Sequence, residues 1–257
     1  MADNLSRYNA LAWDKKVQEG WEWTVPNSAE AVNAARNGDF EIYLTPKKPV
    51  PRDWYGDVRG KRILGLACGG GQQCPLLAAA GGVVTVFDNS KAQLNQDRAV
   101  AERDGLEMSF VQGDMRDLSC FENESFDLIV HPVSNTYVDD PRPVWKEAFR
   151  VLRKGGALIS GMTNPLIYLF DNLKDDHKTL TYKLPYADRD DLPEDELKRL
   201  IDNGDPLEFS HTLQTQLGGQ TEAGFVIAGF FEDNDPSFEN AVAHYCDTYF
   251  ATKSLKL

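Results

Sequence analysis

Between Lys61 and Met162, five short apolar runs (RILGLA, GVVTVFD, MSFVQGD, FDLIVHP and GALISGM) alternate with stretches of helical character. Parallel strands need a crossover of a dozen or more residues, usually a helix, so this alternation specifies a sheet with helices packed on its faces. After the second run, NSKAQLNQDRAVAERDG opens with Ser90 three residues before Gln93, a capping box, and closes at Gly105, which tolerates positive φ. Before the fifth run, DDPRPVWKEAFRVLRKGG places Asp140 as N-cap, Pro141 at the first helical position and Gly155 as the stop. The tail adds a helix in HTLQTQLGGQTEAG and strands in FVIAGFFED and YFATKSLKL. With 257 residues, the chain is read as one doubly wound α/β domain of seven strands.

The first run ends in three glycines, RILGLACGGGQQCP. A buried strand that passes through such a loop into a helix near Pro75 presents bare backbone at the carboxyl edge of the sheet. That surface suits a pyrophosphate, the carboxylate of an amino-acid moiety or a closely packed nucleoside. Asp88 ends the second strand 17 residues beyond Gly71, where a carboxylate accepts hydrogen bonds from a ribose diol. Asp114 and Met115 follow the third strand, positions from which an acid meets an adenine amino group and a thioether covers the ring. Three successive strand ends therefore favour an adenosine-containing ligand.

Composition narrows the partners. Lys and Arg number 27 against 40 Asp and Glu, a net charge of −13 that opposes binding to nucleic acid or to an anionic membrane. Apolar runs such as PLIYLF fall far short of the ~20 residues of a membrane span, and the opening MADNLSRYNALAWDKK lacks a secretory pattern, so a cytoplasmic chain is expected. Cys68, Cys74, Cys120 and Cys246 form no C-x-x-C pair and no zinc spacing with His, which points to reduced, mostly buried thiols and no metal.

Two segments flank this pattern. Residues 1–60 hold four of the five tryptophans, Trp13, Trp21, Trp23 and Trp54, and read as an aromatic cap on a domain of residues 61–257. A polar stretch from Asp171 to Asp205 carries 11 acidic and 6 basic residues around a possible hairpin, TLTYKLPYAD, and marks a lid insertion over about residues 165–208.

Taken together, ILGLACGGGQQ, VTVFDNS, FVQGDM, SFDLIVHPVSNTYV and EAFRVLRKGGALISG resemble the class I S-adenosylmethionine-dependent methyltransferases, in particular the small-molecule "methyltransferase type 11" group. The resemblance covers about Lys61 to Met162 and returns in HTLQTQLGGQTEAGFVIAGFFE. It implies the strand order 3-2-1-4-5-7-6 with the seventh strand antiparallel, S-adenosylmethionine as cofactor and a small-molecule methyl acceptor. It implies a cofactor site of Leu66, Ala67, Cys68, Gly69, Gly71, Gln72, Asp88, Asn89, Gly113, Asp114, Met115 and His131, with Ala67, Gly69 and Gly71 around the methionine portion and His131 beside the sulfonium. The sequence departs from the family in having Gly65 where an acid is usual and Ala67 where a glycine is usual.

An NAD(P)-dependent oxidoreductase is the nearest rival, but G-x-G-x-x-G read from Gly69 meets Cys74 at its third glycine. A non-catalytic protein that only binds S-adenosylmethionine is the other alternative. Methyl transfer needs alignment more than a base; where a proton must leave, His131 and His211 have the right intrinsic pKa, and Tyr137 and Asn135 lie in the loop after the fourth strand. Trp21, Trp23, Tyr43 and Phe209 complete the expected acceptor pocket, whose aromatic faces attract a sulfonium or a cationic acceptor.

Overall fold

The computed structural model describes residues 2–170, 179–235 and 241–257. It opens with the helix α1 (Ala2–Glu19), then α2 (Ala29–Arg36) and the short α3 (Arg52–Tyr55). The alternating core follows as β1 (Arg62–Leu66), α4 (Gln73–Ala79), β2 (Val83–Asp88), α5 (Lys91–Asp104), β3 (Met108–Gln112), β4 (Phe126–His131), α6 (Arg142–Val151) and β5 (Leu152–Thr163). After it come α7 (Asp188–Asp191), α8 (Glu194–Asp202), α9 (Gly219–Ala223), β6 (Val226–Asp233) and β7 (Tyr249–Leu255).

The seven strands form one sheet in the order β3-β2-β1-β4-β5-β7-β6. β1 to β5 pair in parallel, and β7 runs antiparallel to both β5 and β6. Strand alternation sends successive side chains to opposite faces. Ile63, Leu128 and Val130 enter one core with α2, α4 and α5, whereas Leu64, Leu66 and Ile129 enter a second core with Trp145 and Ala148 of α6. Both faces are therefore buried, which is why these strands read as nearly continuous apolar runs.

Local signals act largely as expected. The Ser90 side chain accepts a hydrogen bond from the Gln93 amide at 3.1 Å, and Gly105 ends α5 in the left-handed region. The helix α6 stops at Val151, four residues before Gly155, because Leu152 already pairs with Phe126 and the backbone enters β5. Its first helical residue is Arg142, whose amide donates to the Asp140 carboxylate at 3.0 Å.

The segment TLTYKLPYAD forms no hairpin. Its backbone makes only single bridges, Phe170 with Leu180 and Ala187 with Phe209, while Tyr182 and Tyr186 pack with Tyr168 and Ile167 in a small cluster of their own. Of the expected lid, residues 171–178 lie outside the described residues. The N-terminal segment contributes to the main core through Val32, Ala35, Ile42, Leu44, Val50, Trp54 and Tyr55. Among the cysteines, Cys68 and Cys74 are buried, Cys246 is half-buried and Cys120 is exposed; all four are free thiols, so only two match the expected burial. No helix among the described residues is long and apolar enough to cross a membrane.

Candidate active site

The tips of β1, β2 and β3 lie side by side at the carboxyl edge of the sheet, and the loops beyond them open onto one cavity. After β1 the chain turns sharply: Ala67 has a φ of 46°, and Gly70 and Gly71 have φ of 108° and 74°, in or beyond the left-handed region that favours glycine. At Gly69 the limit is space, because an added Cβ would stand 2.6 Å from the Gln93 Cβ and 3.0 Å from the Asp88 carboxylate.

The amides of this loop are spent inside the fold. Gly69 donates to Asp88 Oδ2 at 2.9 Å, Gly70 to the Gln93 carbonyl at 3.1 Å, and Gly71 to Asp97 Oδ2 at 3.0 Å. These three glycine amides are therefore not free to bind a pyrophosphate. What remains is a bare, close-approach surface bordered by acids.

Asp88 also accepts from the Ser90 amide at 2.9 Å, and burial pushes its carboxyl up to about 6 against the pull of these amides. Asp97 is pushed up to about 8, first by burial and then by the nearby Asp88, while its Oδ1 has no hydrogen-bond partner. Sequence reading missed Asp97, although its place on the buried face of α5 with Leu94, Val100 and Ala101 was the available signal. Burial alone would raise Asp114, but the bidentate pair with Arg116, closest at 2.6 Å, outweighs it and holds the carboxyl below its usual value. Arg116 in turn pairs with Asp139 at 2.9 Å. Among the described residues no cluster of His, Cys, Asp or Glu could hold a metal ion.

Of the expected site residues, Ala67, Gly69, Gln72, Asp88, Asn89, Asp114, Met115, Trp21, Trp23, Tyr43 and Tyr137 line the cavity. Leu66, Cys68, Gly71 and Gly113 stand behind it. Four further expected residues, His131, Asn135, Phe209 and His211, are also missing from its lining. His131 is fully buried, with Nδ1 2.8 Å from the Leu66 carbonyl, Nε2 2.9 Å from the Asn135 side-chain amide and its ring edge-on to Trp145. Strand parity explains this: His131 shares the face of Ile129, toward α6. Asn135 is held between His131 and Gln216, and His211 has Nε2 2.9 Å from the Asn135 carbonyl. Burial lowers the pKa of both histidines against the opposing pull of their hydrogen bonds. Phe209 is buried under Arg189, its amide donating to the Thr136 carbonyl at 2.7 Å.

Other residues reach the cavity from distant parts of the chain. Ser6 and Trp13 come from α1, whose Asp14 accepts from Ser90 and from the start of α5 at 2.6 and 2.8 Å. The roof is tied to the glycine loop through Asn27 N to the Gly71 carbonyl (2.9 Å), and through Gln72 and Gln73 to the carbonyls of Val25 and Tyr43. Thr136, Thr163, Ile167, Tyr168, Glu208 and Tyr249 form a further part of the wall. Gln93 also faces the cavity, with a buried Oε1 that lacks a partner.

A family model described as a methyltransferase domain matches residues 64–160. An uncharacterized methyltransferase of Bacillus subtilis, YbaJ, is 50% identical over 255 residues, 98% of this chain and 99% of its own length. A ubiquinone biosynthesis O-methyltransferase of Nitrosococcus oceani is 33% identical over 118 residues, 45% of this chain and 50% of that protein. Among solved structures, an S-adenosylmethionine-dependent methyltransferase of Methanosarcina mazei superposes with a TM-score of 0.59 at 22% identity, over 85% of this chain and 99% of that one.

Proposed function

The chain belongs to the class I S-adenosylmethionine-dependent methyltransferases, and from that premise we propose that it methylates a small molecule held in the cavity at the strand ends. The observation that carries the placement is the meeting of an acid at the β2 tip with an aromatic roof over a glycine loop whose amides are already occupied. That combination suits an adenosyl sulfonium better than a pyrophosphate.

The residues present fit the cofactor. In this reading Asp88 accepts the ribose hydroxyls, Met115 covers the adenine face and Asp114 receives its amino group. Ala67, Gly69 and Gln72 border the amino-acid portion, and Gln93 offers its unpartnered Oε1 nearby. An acid at position 65, where the family resemblance places one, has no room: a Cβ there would stand 2.2 Å from the Cys74 Sγ. Bound S-adenosylmethionine supplies a methyl carbon on a sulfonium, with a thioether as leaving group. The protein's own task is then to align the acceptor behind that carbon and to exclude water. Trp13, Trp21, Trp23 and Tyr43 form the acceptor roof, and Tyr137, Ile167 and Tyr168 its inner wall, the last two contributed by the segment that follows β5.

A thermal-shift panel tests this. A ligand at ~100 times its Kd adds ~2.7 kcal/mol to the folded state. S-adenosylmethionine and S-adenosylhomocysteine are expected to raise the melting temperature and NAD to leave it unchanged; a shift by NAD alone would overturn the assignment.

A further inference from the structure

The cavity wall carries three carboxyl groups, Asp88, Asp114 and Glu208, and among the described residues no Lys, Arg or His side chain. Asp88 and Asp114 belong to the strand tips and are engaged with their own loops. Glu208 differs. It lies outside the sheet in the stretch PLEF, fixed by Asn9, which holds the Leu207 backbone on both sides and the Tyr137 carbonyl at 2.9 Å. Glu208 Oε2 accepts the Tyr168 hydroxyl at 2.8 Å, and that hydroxyl also meets Thr136 Oγ1. Oε1 has no hydrogen-bond partner among the described residues. Aromatic rings share this wall: Tyr249, and Tyr137, against which Trp13 packs edge-on at 5.2 Å. A carboxylate among aromatic faces attracts a cation through both its charge and the ring quadrupoles. The same wall repels a carboxylate or phosphate.

Resting on the methyltransferase reading above, we propose that Glu208 seats a protonated amine acceptor and takes the proton that must leave before its nitrogen attacks. The N–H bond breaks toward the Glu208 carboxylate, and the freed lone pair forms the new N–CH3 bond. The electron pair of the broken C–S bond stays on sulfur, giving the neutral thioether of S-adenosylhomocysteine. Two cations held together repel, so the sulfonium weakens the ammonium's grip on its proton. Burial, followed by the charge of Asp188, raises the Glu208 carboxyl to about 7, so carboxylate and ammonium meet with their proton affinities drawn together. Tyr168 and Thr136 are positioning residues that aim the carboxylate.

The test loads the protein with S-adenosylhomocysteine and titrates arylalkylamines, from benzylamine to 4-phenylbutylamine, against carboxylates of matched length by calorimetry. At least one amine is expected to bind about tenfold or more tighter than its carboxylate, a preference that Glu208→Gln removes while S-adenosylhomocysteine affinity stays within about twofold. With S-adenosylmethionine, the bound amine should appear N-methylated by mass spectrometry, and Glu208→Gln should lower kcat by about 10²-fold or more. Tyr168→Phe, which keeps the ring, should shift the pH profile of kcat. Carboxylates binding as well as amines, no amine binding, or a Glu208→Gln protein that keeps both preference and rate would each overturn the proposal. Failure of S-adenosylhomocysteine to bind the unaltered protein would instead remove the cofactor assignment on which it stands.

Discussion

Gly65 sits in the centre of the sheet, paired with Val86 on one side and Val130 on the other. A Cβ built there stands 2.2 Å from the Cys74 Sγ and 3.3 Å from the Cys68 Cβ, well inside the ~3.5–4.0 Å of normal apolar contact. Gly65→Ala is therefore expected to overpack. Crowding a filled core costs about 1–3 kcal/mol, against which the reduced freedom of the unfolded chain returns about 0.4–1 kcal/mol. The net expectation is a loss of about 1–2 kcal/mol, read by urea denaturation as a lower midpoint at unchanged slope. Cys74→Ala removes the obstructing sulfur and on its own leaves a small cavity worth about 1 kcal/mol. In the double variant the new methyl enters that space, so the two losses should combine to less than their sum, with a coupling of about 1 kcal/mol or more. Additivity to within about 0.5 kcal/mol would show that Cys74 does not fill the place of the missing side chain.

Asp97→Asn preserves an acceptor for the Gly71 amide while removing a charge that the core disfavours. Because the folded pKa is raised to about 8 from an ordinary value near 3.8, the unfolded state loses its proton first, and Asp97 withdraws stability as pH climbs through that window. The variant should exceed the unaltered protein in stability by about 1–3 kcal/mol at pH 8 and by clearly less near pH 5, measured by urea denaturation at both; an advantage independent of pH would contradict the assignment. In the proposed cofactor complex Asp88, raised to about 6, must be a carboxylate to accept both ribose hydroxyls. S-adenosylhomocysteine affinity should hold steady above about pH 7 and weaken below about pH 6, by up to about tenfold per unit. Asp88→Asn should abolish most of that slope in calorimetric titrations, and a slope unchanged in Asp88→Asn would assign the titration to another group.

The fold was legible because its determinants are local or periodic. The alternation of apolar runs gave β1 to β5, Ser90 and Gly105 bounded α5, and Asp88, Asp114 and Met115 reach the cavity because strand ends in a parallel sheet must converge there. Parity was the first thing to mislead: His131 ends a strand as Asp88 does, yet its side chain lies in the α6 core. Gly155 misled on the end of α6, since Arg153 and Lys154 continue a helical pattern through a backbone already paired as β5. The rest of the wall was out of reach for a different reason. Glu208, Tyr168 and Tyr249 enter from segments far apart in the chain, and α1 crosses to Ser90 over more than seventy residues. Contacts of that range leave no periodic trace; a lone acid between Leu207 and Phe209 was the only hint.

A crystal structure with S-adenosylhomocysteine bound tests the cofactor placement most directly. The expected complex has both ribose hydroxyls on the Asp88 carboxylate, adenine against Met115 and the homocysteine portion over Ala67 and Gly69, with the sulfur facing the wall that holds Tyr137 and Glu208. Nucleoside density elsewhere on the protein, or adenine and ribose in this cavity without contact to Asp88, would contradict it.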